Sequence, residues 1–258
     1  MTRHVALVTG ARRGIGRAIA ERFGEDERFD AVACLDVHEG VEETAAGIDG
    51  GVPYVVDVSD HDAVRDAVEE IETDGDITAA VNNAGISKYF WIGDLEPEEW
   101  DRLMDINLKG QYNVARAVTP RMFEREHGYL INISSGAGQR GSVSGGVHYS
   151  ASKAGVFGLT KGLAKQLAPH VRVNCVVPGL IDTPLGGADD EGDGLWTSEG
   201  MEKMRRLIPL QRRGDPDEVA RVVQFLSGEG AAYVTGAVVP VDGGGALMPT
   251  QEFLMGEE

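Results

Sequence analysis

Short apolar runs alternate with helical stretches along this chain, and the alternation limits its possible folds more than any other feature. The apolar runs end at small or polar residues, as strands buried on both faces do. They occupy residues 5–9, 31–35, 54–56, 79–81, 129–133, 171–177 and 237–241. Helical spacing fills the intervals, at residues 17–23, 97–104, 107–125, 149–167 and 217–226 and after Ser59 or Asp60. This order predicts an α/β fold, a doubly wound parallel sheet with helices on both faces and right-handed crossovers.

The composition does not shift along the 258 residues, so the sequence predicts a single domain over residues 1–258. Two stretches lack a periodic pattern. They are residues 186–200, rich in glycine and acidic residues, and the tail at residues 248–258. Pro120 falls inside the helix predicted at residues 107–125. Because proline in a helix interior costs about 3 kcal/mol, we expect a kink or a break there.

The charge balance excludes some classes of partner. The chain carries 42 acidic and 24 basic residues, for a net charge of −18. Such an excess repels nucleic-acid phosphates and anionic membrane surfaces. Only six basic residues are lysine, which leaves 18 of the 24 as arginine. Two interpretations remain open: adaptation to high salt, where screening relieves the self-repulsion, or an ordinary acidic protein of an arginine-rich proteome.

The N-terminus runs directly into the first apolar run and shows no signal-peptide core. No apolar stretch is long enough to span a membrane, so we expect a soluble, cytoplasmic protein. Cys34 and Cys175 each lie in an apolar, β-branched stretch and are expected to be buried thiols. His38 has several glutamates nearby, but no spacing in the chain matches a strong metal-ligand motif, so no metal site is predicted.

Gly10, Gly14 and Gly16 lie where the first strand becomes the first helix. Glycines there permit a tight turn and let the backbone approach a pyrophosphate, while the helix N-terminus supplies N–H donors. The other residues of the turn expected to contact a cofactor are Arg12, Arg13 and Ile15. The spacing is G-x-x-x-G-x-G, and its position between strand and helix predicts a dinucleotide-binding turn.

Asp36 ends the second predicted strand, twenty residues after Gly16. A carboxylate there accepts hydrogen bonds from the adenosine ribose hydroxyls and repels a 2′-phosphate, which favours NAD over NADP. Arg12 and Arg13 instead favour NADP, because a guanidinium beside the turn can hold a 2′-phosphate. The sequence therefore predicts NAD, with NADP as the less favoured cofactor.

Further segments, taken in chain order, resemble the short-chain dehydrogenase/reductase family across nearly the whole length. The matching segments are residues 9–16, Asp57-Val58, residues 82–85, Asn107, Ser134-Ser135, residues 149–153 and Pro178-Gly179. The resemblance implies a Rossmann-type sheet of about seven strands and a nicotinamide-dependent oxidoreductase. The members that the chain resembles include bacterial-type 3-oxoacyl-[acyl-carrier-protein] reductases and sugar or alcohol dehydrogenases.

The resemblance also implies the remaining cofactor contacts. These are Asp57 and Val58 beside the adenine, Asn83, Ala84 and Gly85 along the cofactor, and Pro178, Gly179, Ile181 and Thr183 towards the nicotinamide. It further implies a substrate lid at about residues 182–203 and a homotetramer. The helices predicted at residues 107–125 and 149–167 would pack across an isologous interface of that tetramer.

Four residues are predicted to be catalytic. A phenol with a pKa near 10 is a poor base at neutral pH, but Lys153 lies one helical turn after Tyr149. Its ammonium would stabilise the Tyr149 phenolate, and it would also bind the nicotinamide ribose. Ser135, at a strand end, is placed to hydrogen-bond the substrate oxygen. By resemblance, Asn107 lies in a distorted helix and holds a water that relays protons to the lysine.

The interval from Ser135 to Tyr149 is one residue longer than the commonest family spacing. Gly145-Gly146 is the expected place for the extra residue, and Ser135 rather than Ser134 remains the predicted catalytic serine. Further pocket candidates, on position alone, are Trp91, Gln139, His148 and Trp196.

Three functions remain open. The first is hydride transfer between NAD(H) and the secondary alcohol or carbonyl of a small polar molecule, such as a sugar, polyol or hydroxy acid. The second is reduction of 3-oxoacyl thioesters with NADPH or NADH. An acidic carrier protein would then need a basic patch, for which Arg121, Arg125, Arg205 and Arg206 are candidates. The third is a nucleotide-sensing module, which the retained Tyr149 and Lys153 disfavour.

Overall fold

The structure is a computed structural model that describes residues 3–183 and 198–247. Its centre is a seven-stranded sheet in the order β3-β2-β1-β4-β5-β6-β7, and every neighbouring pair is parallel. The strands are β1 (His4–Thr9), β2 (Ala31–Asp36), β3 (Gly51–Val55), β4 (Asp76–Asn82), β5 (Gly128–Ile133), β6 (Val171–Pro178) and β7 (Val238–Val241). The predicted parallel α/β sheet of about seven strands is confirmed.

Helices cover both faces of this sheet. They are α1 (Gly14–Gly24), α2 (Val41–Ala46), α3 (His61–Asp74), α4 (Pro97–Met104), α5 (Gly110–Glu124), α6 (Ala137–Arg140), α7 (Gly146–Leu167), α8 (Ser198–Leu207) and α9 (Pro216–Leu226). Successive side chains of β1 point to opposite faces. Leu7 packs with residues of α3 and α5, whereas Val8 packs with residues of α1 and α9. The five inner strands, β1, β2, β4, β5 and β6, thus supply two cores, which explains their continuous apolar sequences.

The strand order reverses beside β1. From β1 the chain runs outward through β2 to β3, and it then returns to β4 on the other side of β1. At such a reversal the loops that leave the two central strands diverge, and ligands bind in the crevice between them. The ends of β1 and β4 therefore mark the expected ligand site.

The expected break at Pro120 is wrong. Helix α5 continues through Pro120 to Glu124. Proline removes the hydrogen bond to the carbonyl of Arg116, but both residues are exposed, so water can solvate that carbonyl. The irregularity lies earlier, where Asp105–Lys109 forms one π-helical turn between α4 and α5. That turn contains Asn107, at the place where the resemblance implied a distorted helix.

Three helices were not predicted. Gly40 precedes α2 and Gly136 precedes α6 as the N-cap residue, and neither helix has a side-chain cap. The third, α8, lies in the segment expected to be a lid, residues 182–203. Residues 184–197 of that segment, with Trp196, and the tail at 248–258 lie outside the described residues. Cys34 and Cys175 are free and buried, as predicted. Among the described residues no helix is long and apolar enough to cross a membrane.

Candidate active site

The turn between β1 and α1, residues 10–16, is called here the glycine turn. Gly10 and Gly14 have φ values of +65° and +57°, a left-handed conformation that side chains disfavour. Gly16 lies directly beneath the turn. A Cβ there would overlap the carbonyl oxygen of Gly10 and lie 2.5 Å from the amide nitrogen of Asn83. The glycines therefore shape a cradle that any side chain would fill, which fits close approach of a pyrophosphate.

The glycine turn is tied to the end of β4. The Thr9 hydroxyl donates to the carbonyl of Val81 and accepts the backbone N–H groups of Asn83 and Ala84, both at 3.0 Å. The Asn83 amide in turn donates to the carbonyls of Thr9 and Gly10, at 3.0 and 3.2 Å. These bonds fix the width of the crevice at the strand reversal. Thr9 was not predicted to have this role, because its partners lie more than seventy residues away.

Asp36 lies beside the glycine turn at the end of β2. Its carboxylate accepts the backbone N–H groups of Arg12 at 3.2 Å and of His38 at 3.1 Å. The Arg12 guanidinium is 3.9 Å from the same carboxylate. Arg12 therefore lies against Asp36 and offsets part of its charge, so the two predicted opposing influences on cofactor choice are in contact.

A cavity of about 800 Å³ extends from the glycine turn along the crevice. Twelve of the predicted cofactor residues line it: Gly10, Arg12, Arg13, Gly14, Ile15, Asp36, Asp57, Val58, Asn83, Ala84, Gly85 and Thr183. The wall opposite them was not predicted and comes from α4 and the π-helical turn. It consists of Glu98, Asp101, Arg102, Asp105 and Ile106. The volume and the glycine cradle fit a dinucleotide.

The remaining predicted cofactor residues lie around this cavity. Gly16 supports the turn from below. Gly179, after β6, donates to the carbonyl of Val241 and packs on Asp242, where a Cβ would lie 2.6 Å from its Cα. Pro178 accepts the backbone N–H of Gly136 at 3.4 Å, and Ile181 forms an isolated bridge with Gly214. The structure thus places the ends of β5, β6 and β7 next to one another.

The four residues predicted to be catalytic, Asn107, Ser135, Tyr149 and Lys153, are called here the catalytic cluster. Lys153 is only 4% exposed, and its ammonium lies 5.9 Å from the centre of the Tyr149 ring. Burial lowers the pKa of Lys153 to about 8. Burial also raises the pKa of Tyr149, and the hydrogen bond between Tyr149 and Ser135 opposes that rise. The structure therefore joins the serine, the tyrosine and the lysine.

Asn107 completes the cluster from the π-helical turn. Its fully buried amide accepts the N–H of Ile86 at 2.8 Å and donates to the carbonyl of Ile86 at 2.9 Å. It also donates to the hydroxyl of Ser152 at 3.3 Å. Gly85 lies between the side chains of Asn107 and Lys153. A Cβ at Gly85 would be 3.1 Å from the Asn107 oxygen and 3.4 Å from the Lys153 nitrogen. Asn107 thus joins the segment after Gly85 to α7, the helix that carries Tyr149 and Lys153.

Known proteins resemble this chain over most of its length. A family model described as "Enoyl-(Acyl carrier protein) reductase" matches residues 10–245. A 3-oxoacyl-[acyl-carrier-protein] reductase of Thermotoga maritima is 39% identical over 93% of this chain and 96% of its own length. A crystal structure of a 3-oxoacyl-[acyl-carrier protein] reductase from Brucella melitensis with bound NAD is 38% identical, with a TM-score of 0.83. It covers 94% of this chain and 90% of that one.

The ligand-free aldohexose dehydrogenase of Thermoplasma acidophilum is also similar. It is 34% identical with a TM-score of 0.84, and the match covers 96% of this chain and 95% of that one. Fold, crevice and matches together define an oxidoreductase that acts on CH–OH or carbonyl groups. The chain belongs to the short-chain dehydrogenase/reductase family.

Proposed function

We propose that this protein reduces 3-oxoacyl thioesters with NADH, and that the catalytic cluster supplies the proton. When bound, the nicotinamide supplies a hydride to the C3 carbonyl carbon. Ser135 and Tyr149, which share a hydrogen bond, donate to the carbonyl oxygen, and the Tyr149 phenol transfers its proton to the new alkoxide. The Lys153 ammonium stabilises the phenolate that remains. Asn107 fixes the backbone at Ile86 beside this site.

The observation that carries the substrate class is an apolar rim beside Tyr149, called here the apolar mouth. Gly145 lies against the Tyr149 ring, since a Cβ there would be 2.5 Å from its Cδ1. The loop before α7 therefore borders the catalytic cluster. On this loop and at the start of α7, Val143 and Val147 are 77% and 47% exposed. We take these exposed apolar residues to border the substrate opening, where they would suit a hydrocarbon chain better than a sugar.

The second half of the apolar mouth comes from the loop after β4. The Phe90 ring packs edge-on against His148, at 5.8 Å between centroids. The next two residues, Trp91 and Ile92, are 64% and 58% exposed. The loop therefore lies beside Gly146 and His148 at the start of α7, and we assign its exposed apolar residues to the same opening. His148, a pocket candidate on position alone, is buried beneath the Phe90 ring.

The 3-oxoacyl thioester is preferred here to the small polar substrate. Two of the similar proteins are named as 3-oxoacyl-[acyl-carrier-protein] reductases. The resemblance to an aldohexose dehydrogenase keeps sugar oxidation as a second candidate. The two candidates differ in the group next to the reacting carbon, a hydrocarbon and thioester in one and a row of hydroxyls in the other. The apolar mouth would therefore favour binding of the thioester and disfavour binding of the sugar.

The test compares short-chain and long-chain 3-oxoacyl thioesters with a panel of aldoses, each with NADH or NAD. Trp91→Ser should raise KM about tenfold for the long chain and little for the short one, because methylene burial is lost. Tyr233→Ser, at a fully exposed aromatic outside the mouth, is the matched control. Faster turnover of an aldose than of any thioester would overturn the proposal.

The structure does not assemble the basic patch expected for an acidic carrier protein. Arg121 and Arg125 bind Glu72, near the amino end of β4. Arg205 and Arg206 bind Glu202 in α8, which follows the opposite ends of the strands. The two pairs are thus far apart, and each already binds a carboxylate. The thioester panel therefore includes coenzyme A thioesters beside carrier-protein thioesters.

The proposed preference for NADH rests on Asp36. Its carboxylate lines the crevice beside the glycine turn, where it would meet the adenosine ribose, and the similar Brucella melitensis reductase holds NAD. Asp36→Asn removes the charge with little change of shape. We expect the ratio of kcat/KM for NADH to that for NADPH to fall about tenfold, since a charge-assisted hydrogen bond is worth about 1.5–3 kcal/mol. A wild-type preference for NADPH would contradict the assignment.

We also propose that the protein is a homotetramer in which α5 and α7 pack against their symmetry mates. A groove between these helices is lined by Met104, Leu108, Tyr112, Gly155 and Leu159. Tyr112 is 46% exposed there. On α7, a Cβ at Gly158 would meet no described atom within 4 Å, so another backbone can approach closely. Light scattering tests the assembly, and a monomer at working salt would refute it.

A further inference from the structure

A buried amide lies directly behind the catalytic lysine. The carbonyl oxygen of Ile133 accepts a hydrogen bond from the Lys153 ammonium at 3.2 Å. It accepts a second one from the side-chain amide of Gln111 at 3.0 Å. Gln111 is 2% exposed and Lys153 4% exposed. The two donors thus share one acceptor in a region that water does not reach freely.

Gln111 is held in this position at both of its ends. It lies in α5, one helical turn after Asn107. Its backbone carbonyl accepts the Asn82 amide at 3.1 Å, and the same amide donates to Asn132 at 2.9 Å. Asn132 then donates to the hydroxyl of Thr160 in α7, also at 2.9 Å. A chain of buried side chains therefore links β4, β5 and the catalytic helix around Gln111.

The orientation of this amide has a cost. The side-chain oxygen of Gln111 is buried, and it has no hydrogen-bond partner among the described residues. An unsatisfied buried acceptor costs about 1–3 kcal/mol. The opposite orientation would turn that oxygen towards the Ile133 carbonyl and repel it. The Gln111 amide therefore donates its N–H to the Ile133 carbonyl, while its own oxygen stays without a hydrogen bond among the described residues.

A carbonyl oxygen has two lone pairs, and here each meets a different donor. Because Gln111 occupies one side of the Ile133 oxygen, Lys153 is confined to the other side. Its remaining N–H groups are then free to bind Tyr149 or a cofactor hydroxyl. The second donor also draws electron density from the oxygen, which weakens its hold on the ammonium.

We propose that Gln111 is a positioning residue of the catalytic cluster, which fixes where the Lys153 ammonium docks on the Ile133 carbonyl. It touches no substrate and acts through Lys153. The inference rests on the acid/base pair of the proposed function. The titratable groups that face Lys153 in the described part are Tyr149 and Cys175. Gln111 is uncharged, so it acts on Lys153 only through the shared carbonyl.

Gln111→Met tests the role, because it keeps the length and burial of the side chain and removes the hydrogen bond. We expect kcat to fall about tenfold, with KM for the cofactor changed less than about threefold. The Ile133 oxygen would then hold the ammonium more firmly. The alkaline pKa in the pH profile of kcat, a property of the Tyr149–Lys153 pair, should rise by about half a unit.

Gln111→Glu is the second variant, since it keeps the shape and places a carboxylate beside Lys153. An opposite charge within a few ångströms shifts a pKa by about 1–3 units, so the alkaline pKa should rise further than in Gln111→Met. Gln224→Met is the control, since the Gln224 amide binds Asp26 on the other face of the sheet. It should leave kcat and its pH profile unchanged.

The outcomes separate cleanly. A folded Gln111→Met enzyme with wild-type kcat and an unshifted profile would overturn the positioning role. If that variant does not fold, an unshifted profile in Gln111→Glu would overturn it equally. Full activity of Tyr149→Phe would instead remove the proposed acid/base pair, whatever the Gln111 variants do.

Discussion

The glycine turn and the catalytic cluster lie at the same edge of one sheet but are built in opposite ways. The turn is made by a short segment whose shape depends on missing side chains at Gly10, Gly14 and Gly16. The cluster collects side chains from the π-helical turn, the end of β5 and α7, and it buries Asn107 and Lys153. The turn is therefore sensitive to added atoms, and the cluster to removed groups.

The two regions also differ in charge. The cluster contains a buried ammonium and a half-buried phenol. Burial lowers the pKa of Lys153 and raises the pKa of Tyr149, so it favours the neutral form of each group. The turn presents backbone N–H groups and one partly exposed carboxylate, Asp36, to the crevice. Binding and chemistry should consequently respond to different mutations and to different solution conditions.

Tyr149→Phe should separate the regions most strongly. Removing one oxygen deletes the proton donor, and general acid catalysis contributes about 10²–10⁴-fold, so we expect turnover to fall about 10³-fold. The glycine turn is untouched, so the dissociation constant of NADH should change less than about twofold. Stopped-flow turnover and quenching of nicotinamide fluorescence measure the two quantities. Retained turnover would mean that the cluster is not the proton source.

The buried Lys153 ammonium should make the free energy of unfolding depend on pH, whereas the glycines of the turn do not titrate. Burial lowers the pKa of Lys153 from 10.5 to about 8. Between these values Lys153 binds more protons in the unfolded chain than in the folded chain, so its contribution to the free energy of unfolding rises with pH. Over the whole interval the rise is about 3 kcal/mol, and it is lost again as pH falls through 8.

Lys153→Met should abolish that rise, and urea denaturation at several pH values from neutral to alkaline measures it. Gly16→Ala serves as the comparison, because the added methyl group does not titrate and should leave the rise in place. An equal pH dependence in the Lys153→Met protein and the wild type would show that Lys153 is not the group responsible.

Gly16→Ala should damage the turn and spare the cluster. The added Cβ meets the Asn83 amide at 2.5 Å, and overpacking of this kind costs about 1–3 kcal/mol. We expect lower stability and about tenfold weaker cofactor binding, with kcat at saturating cofactor nearly unchanged. Gly47→Ala is the matched control, because a Cβ there makes only ordinary contacts of 3.5 Å or more. Wild-type cofactor affinity in Gly16→Ala would show that the turn tolerates a side chain.

The sequence predicted the fold well where one residue pattern decides the outcome. Predicted strands such as residues 5–9 and 129–133 agree within one residue with β1 and β5, because buried parallel strands have continuous apolar runs. Helices α2 and α6 were missed, since both are short and lack capping side chains. A break was expected at Pro120 because proline removes a helix hydrogen bond. The helix continues because the carbonyl left without a partner is exposed to water.

The site was predictable only in part, for a related reason. Tyr149 and Lys153 lie one helical turn apart, and the glycine turn is contiguous, so spacing alone brings these residues together. The wall formed by α4 and the contact of Gln111 with Ile133 depend on how separate elements pack. No local pattern marks Gln111, which in the sequence is one polar residue in an amphipathic helix.

The smallest expected difference between the two regions is their response to salt. Glu98 and Asp101 line the crevice opposite the glycine turn, and the chain carries a net charge of −18. Raising salt from 0.1 to 1 M shortens the screening length from about 10 Å to about 3 Å, so repulsion of the anionic cofactor should weaken. We expect KM for NADH to fall about threefold, and kcat to change less, because the cluster is buried.

The double variant Glu98→Gln with Asp101→Asn should lower KM at low salt and flatten its salt dependence. Stability gives a second measurement, since adaptation to high salt predicts a melting temperature that rises steadily into molar salt. A melting temperature that is flat across this range would favour an ordinary acidic protein. A KM that rises with salt would mean that attraction at Arg12, Arg13 or Arg102, rather than repulsion by the acidic wall, dominates cofactor binding.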